Sequence, residues 1–213
     1  MLRFVGASIA AALLLTGANA QLPGTLMDPE AMFTSPFMLI QNPDVQKEIK
    51  LDKAQKAELQ KINDELGAFS KRAQSGSQDP AAAMAFMKEF DKFQEDAGKR
   101  MIATLDPAQK QRFAEIRMQV RGAAALADSA VQADLGPSDA QRIAVSDHMR
   151  AERKGMMDNL RQTKTRNKWK KERPQRDAAL LKILTLEQSA MFAQMNGPVF
   201  KAAKKIRKGA GIE

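Results

Sequence analysis

A fifteen-residue stretch that occurs twice constrains the fold of this chain more than any other feature. Val45 to Leu59 reads VQKEIKLDKAQKAEL and Val131 to Val145 reads VQADLGPSDAQRIAV. At this offset of 86 residues Val, Gln, Ala and Gln recur, Glu48 matches Asp134, Ile49 matches Leu135 and Lys56 matches Arg142. The core of the unit appears twice more, as Leu105-Asp106-Pro107-Ala108-Gln109 and Leu184-Thr185-Leu186-Glu187-Gln188. Each copy leads to an apolar residue four places after its Gln: Leu59, Phe113, Val145 and Phe192.

The unit reads as a helix start. Asp52, Asp106, Ser138 and Thr185 are favourable N-cap residues, and Gln55, Gln109, Gln141 and Gln188 follow them three places later. That spacing is a capping box, in which cap and Gln side chains satisfy backbone N–H groups that the first turn leaves without partners. The next position holds Lys56, Lys110, Arg142 or Ser189, so the usual hydrophobic staple is missing. Leu51, Leu105 and Leu184 are expected to pack instead against the apolar residue two turns into each helix. The first meaning of the repeat is therefore structural.

The chain between these starts reads as further helices separated by breaks, among them a polar turn from Ala73 to Gln78. Asn42-Pro43 opens a short helix to about Ile49. Leu59, Ile62, Leu66 and Phe69 follow the Asp52 cap at 3-4-3 spacing, the signature of an amphipathic helix. Asp79-Pro80 opens another, with Phe86, Phe90, Phe93, Ala97 and Met101 on one stripe, and the two stripes are expected to face each other as an antiparallel hairpin. Phe113, Ile116 and Val120 line a third long helix, which Gly122 ends or kinks. Asp128 or Ser129 caps a short helix, and Pro137-Ser138 opens a segment carrying Ile143, Val145, Met149, Met156 and Leu160. Pro174 marks a break before Leu180, Ile183 and Leu184, and Phe192 and Met195 close the last capped helix ahead of Gly197-Pro198. Alternating patterns never persist and β-branched residues are sparse. The fold class is all-α: repeated helical hairpins in two related halves, which pack on one another or exchange elements in a dimeric cradle.

The ends differ from the middle. Arg3, the apolar run Phe4 to Thr16 and Ala18-Asn19-Ala20 have the order of a signal peptide cleaved after Ala20. The apolar run is short for a transmembrane helix. The expected organisation is a signal peptide at 1–20, an extended N-terminal arm at 21–41, a first helical repeat at 42–122, a second at 123–200 and a basic, fraying tail at 201–213. An exported chain of 213 residues with no Cys uses no disulfides and must be held by its core or by a partner. Export also turns the meaning of its net charge of +9 away from nucleic acid and towards anionic surfaces or acidic clients in the periplasm.

Four Leu-x-x-x-Gln helix starts in an exported, Met-containing helical chain resemble the LTxxQ-motif family of Spy/CpxP-like periplasmic proteins. Leu184-Thr185-Leu186-Glu187-Gln188 is the closest copy; Asp52 and Asp106 replace the Thr in two others, and Pro137 takes the Leu position in the third. Four copies suggest an internally duplicated relative. The resemblance implies an ATP-independent chaperone that holds unfolded clients on a basic, partly apolar cradle, in an envelope-stress setting.

The candidate binding surface lies between Arg150 and Arg176, where eleven Lys or Arg meet three acids. Arg150, Arg153, Lys154, Arg161, Lys164, Arg166, Lys168, Lys170 and Lys171 supply cations, and Met156, Met157 and Trp169 supply adaptable apolar anchors. The plainer reading of the same stretch is a solvated charged linker with Trp169 docked on the core. A third is a surface for anionic headgroups. A lone His148 among methionines makes a poor metal ligand set and reads as a satisfied interface histidine. No nucleophile elbow, paired-histidine motif or phosphate loop is present, so neither enzymatic activity nor a cofactor is expected.

Overall fold

The computed structural model describes residues 34–74, 80–160, 167–168 and 171–210, apart from side chains at 70, 72–74, 80–84, 87, 156–157 and 159–160. The described residues are all-helical. The α-helices are α1 (Pro36–Ile40), α2 (Pro43–Glu48), α3 (Lys53–Gln74), α4 (Pro80–Thr104) and α5 (Pro107–Arg121), followed by a 3₁₀ turn at Gly122–Ala127. After the turn come α6 (Ser129–Leu135), α7 (Asp139–Leu160), α8 (Arg173–Leu181), α9 (Leu186–Gln194) and α10 (Ala203–Gly209).

All four capping boxes form. Gln55, Gln109, Gln141 and Gln188 donate their backbone N–H to Asp52, Asp106, Ser138 and Thr185 at 2.8, 2.8, 3.2 and 3.2 Å. In return each Gln side-chain oxygen accepts the backbone N–H of its cap residue at 2.9 to 3.0 Å. A cap of this type stabilises a helix by about 1 kcal/mol. Leu51, Leu59, Leu105 and Phe113 are buried together in one core, and Leu184 lies against the core that holds Phe192.

The 86-residue offset is also an offset in hydrogen bonding. The Gln46 side chain donates to Ile40 O at 3.0 Å, and that of Gln132 donates to Leu126 O at 2.9 Å. Val45 and Val131, Ile49 and Leu135, and Leu59 and Val145 are buried at matching places. The same offset sets α1 against the 3₁₀ turn, where Phe37, Leu39 and Ile40 correspond to the buried Ala123, Ala125 and Leu126. Within the stretch 21–41, the apolar tetrad Phe37 to Ile40 reads as docked on the helical body, and it is: Phe37, Leu39 and Ile40 are buried in the first core, on a short helix. Ser35 caps it, Pro36 sits in its first turn, and Phe37 packs edge-on against Phe93 with ring centroids 5.7 Å apart.

Two cores result. The first gathers α1 to α5 and includes Ile62, Ala97, Met101, Ile116 and Val120. Phe69 on α3 meets Phe86, Phe90 and Phe93 on α4 at centroid distances of 4.5, 5.6 and 5.7 Å, so the two stripes do face each other. The second core gathers Met118, Ala125, Leu126, Val131, Leu135, Val145, Leu180 and Phe192. Helix α5 serves both, with Phe113, Ile116 and Val120 in the first and Met118 in the second.

Three details depart from the sequence reading. Asp128 stands at the N-cap of α6 but makes no side-chain cap bond, because its carboxylate holds Arg117 at 2.9 Å and Arg121 at 3.1 Å. Ile143 is 62 % exposed, because a residue two places from the buried Val145 lies on nearly the opposite side of a helix. The tail does not fray over 203–209. Phe200 and Ala203 are buried and Ile206 packs beside them on the first core, while Lys205 bonds Asp44 at 2.8 Å on the outer side. Apolar residues every three places gave this segment a face to bury despite its five cations.

Candidate functional site

The segment from Arg150 to Arg176 is partly neutralised within the fold. Arg150 bonds Asp147 at 3.0 Å on the same helix. Arg173 is buried and pairs with Asp177 at 3.3 Å, and Arg176 on α8 reaches Glu152 on α7. Lys154, Lys168 and Lys171 are exposed and Arg153 is half-buried, with Lys168 3.9 Å from Glu172. Met156 and Met157 lie on α7, but their side chains fall outside the described residues, as do Arg161, Lys164, Arg166, Trp169 and Lys170. Among the methionines whose side chains are described, Met101 and Met118 are buried, Met38, Met149 and Met195 pack partly buried against the cores, and Met191 alone is exposed. These methionines act mainly as core filler.

Charge and exposed apolar surface coincide elsewhere. Residues 1–128 carry 16 Lys or Arg and 16 Asp or Glu, whereas residues 129–213 carry 18 and 9, so the whole net charge of +9 belongs to the second part. Among the described residues every large exposed apolar side chain also lies there: Ile143 at 62 %, Leu181 at 37 %, Leu186 at 91 %, Met191 at 43 % and Val199 at 84 %. The first part instead laces its surface with ion pairs, among them Arg100 with Glu58 and Glu65 at 2.8 and 2.7 Å.

Residues 196–200 form a strap that carries the chain from α9 back across α5. The Gln119 side chain donates to Asn196 O and Pro198 O and accepts the Phe200 N–H at 2.7 Å. Arg112 donates to Pro198 O at 2.8 Å while pairing with Glu48 and Glu115. Burial opposes the Arg112 charge, but the two carboxylates outweigh it and its pKa is raised. Between this strap, the 3₁₀ turn and the end of α8 lies an open groove of about 460 Å³. Leu181, Phe192, Val199 and Phe200 line it, together with Lys201, Lys204 and Arg207. Sequence reading missed this groove because its walls come from four separate segments. The available signal was Phe200, Ala203 and Ile206 at threefold spacing, which marks the tail as docked.

Among the described residues no group of three or more His, Asp or Glu could hold a metal ion, and His148 is half-buried. No described helix is long and apolar enough to cross a membrane. Comparison with known proteins gave no matching family model, no similar curated protein and no similar solved structure.

Proposed function

We propose that this chain is an exported, ATP-independent chaperone-like binding protein of the LTxxQ-motif type, which holds unfolded, acidic protein segments on its second part. The observation that carries this reading is that, among the described residues, every exposed large apolar side chain lies in the part from 129 onward, which also carries the whole net positive charge. Positive charge speeds encounter with acidic chains, and the exposed apolar groups lengthen the contact once made. Nucleotide, metal and catalytic chemistry have no part in this reading. The four capping boxes fix the starts of the helices that present the surface.

The test is light scattering of a denaturing client without ATP, using the chain from Gln21 onward. Suppression at near-stoichiometric ratios that survives moderate salt supports client holding, because apolar contacts are not screened. Absence of suppression across several clients of differing charge would overturn it. Binding to anionic vesicles that vanishes in the same salt would then favour an envelope-associated role through the exposed Lys154, Lys168 and Lys171.

A further inference from the structure

We propose that the groove between the strap and the 3₁₀ turn docks a short, acidic and apolar stretch of unfolded polypeptide. This rests on the client-holding reading and names the place and the recognised chemistry. Val199 is 84 % exposed although the backbone on both sides is pinned, since Pro198 O accepts from Arg112 and Gln119 and the Phe200 N–H donates to Gln119. A branched apolar side chain fixed in water between two immobilised neighbours gives a partner a preorganised contact with little ordering cost. The exposed Leu181 and the buried Phe192 add further apolar lining to the groove.

The rim fixes the sign of the partner. Lys201 and Lys204 line the groove, are exposed, and have no carboxylate within ion-pair distance among the described residues. Lys205, one residue on, points instead to Asp44 on the first core. The groove therefore offers apolar contact beside two uncompensated cations, which matches one or two apolar side chains flanked by Asp or Glu. Its volume of about 460 Å³ is enough for a few side chains.

Fluorescence anisotropy with three labelled peptides tests this on the chain from Gln21 onward. One has a Leu-Phe centre flanked by Asp and Glu, one has those acids replaced by Lys, and one has the Leu-Phe centre replaced by Ser. The first is expected to bind about tenfold more tightly than either other peptide. Lys201→Glu/Lys204→Glu should weaken it about tenfold and Val199→Ser a few-fold. The control Lys168→Glu/Lys171→Glu, with the same charge change outside the groove, should change it less than threefold.

Equal weakening by both charge reversals would overturn the inference in favour of non-specific attraction. So would loss of binding to phosphatidylglycerol vesicles in Lys201→Glu/Lys204→Glu without any peptide binding by the parent chain. Since all the substituted side chains are exposed, unchanged thermal melting is expected. A parent chain that suppresses aggregation, with groove variants that suppress it equally, removes the groove while leaving the client-holding reading. A parent chain that binds the acidic peptide in the groove but suppresses nothing removes the wider reading and keeps the site.

Discussion

The Gln55 side-chain amide donates to the side-chain oxygen of Gln109 at 2.6 Å, and Gln109 donates back to that of Gln55 at 3.1 Å. Each uses its other N–H at the end of the helix before the partner's motif: Gln55 on Thr104 O, Gln109 on Ile49 O and Lys50 O. With the cap bonds, each amide has both donors and both acceptors occupied. Gln141 and Gln188 repeat the arrangement at 2.6 and 3.2 Å, with Ile183 O and Leu135 O as the backbone acceptors. A capping box alone accepts Glu as readily as Gln. The reciprocal pair accepts only a group that donates and accepts at once, and this explains why all four copies carry Gln.

Gln55→Glu should therefore destabilise the chain although it preserves the capping box. It removes two donors and sets a carboxylate against the Gln109 carbonyl oxygen and Thr104 O, at a site where Gln55 is 7 % exposed. The expected loss is about 2–4 kcal/mol at neutral pH by denaturant unfolding. Burial raises the pKa of the introduced carboxyl, so the deficit against the parent should shrink as pH falls and the protonated group regains a donor. A loss below the ~1 kcal/mol of a simple cap, at any pH, would contradict the paired role.

Gly197 and Gly136 separate backbone strain from steric overlap. Both have left-handed φ, 59° and 57°. A Cβ at Gly197 would overlap the Glu115 carboxylate, which Arg112 and Gln111 hold in place, whereas one at Gly136 meets nothing within 4 Å. Gly136→Ala should cost about 1 kcal/mol. Gly197→Ala should cost about 2–4 kcal/mol and loosen the strap. Thermal unfolding of the two variants side by side reads the difference.

The Asp128 carboxylate is shared by Arg117 and Arg121, with its side chain 15 % exposed and that of Arg121 5 %. Burial is the main influence on Arg117 and lowers its pKa, Asp128 opposes this, and the neighbouring Arg121 lowers it further. Asp128→Asn leaves two guanidinium groups without their carboxylate and should cost about 3–5 kcal/mol. Arg117→Met should cost less, because Arg121 keeps its partner. The double variant should recover part of the Asp128→Asn loss, a coupling that a double-mutant cycle measures.

On the surface of the α3–α4 hairpin, hydrogen bonds from Arg100 are the first cause holding the Glu58 and Glu65 carboxyls below their ordinary range. A lowered carboxyl contributes stability that is present above its unfolded pKa and lost as pH falls through the folded one. Arg100→Ala should return both titrations towards the ordinary value and weaken the acid dependence of unfolding below about pH 5. Titration followed by carboxyl-carbon NMR checks this, and unchanged Glu58 and Glu65 curves would contradict it. The effect on neutral-pH stability should be small, since these groups are exposed and screened by salt.

Local chemistry made much of the fold legible. Cap residues, proline positions and apolar spacing located the long helices and the facing Phe69 and Phe90 stripes, because such signals depend on residues within a few turns. The same locality placed the N-cap of α6 at Asp128 but did not show that its carboxylate is drawn to Arg117 and Arg121. It also missed α10, whose cations mask a buried face, and the groove, whose two walls include residues as distant as Ala123 and Val199. The basic stretch was conspicuous in sequence, yet Arg150, Arg173 and Arg176 each have an acidic partner within the fold.

The sequence by itself determined that this chain is helical, where its four repeated starts lie and which residues cap them. Each of those facts follows from backbone groups and side chains no more than one turn apart. Tertiary structure alone decided that Gln55 meets Gln109 and Gln141 meets Gln188. It also decided that α10 returns to the first core and that Val199 stands in water beside Lys201. Those outcomes depend on which surfaces close over one another, and a side-chain amide reaching across 47 or 54 residues leaves no periodic trace in the chain.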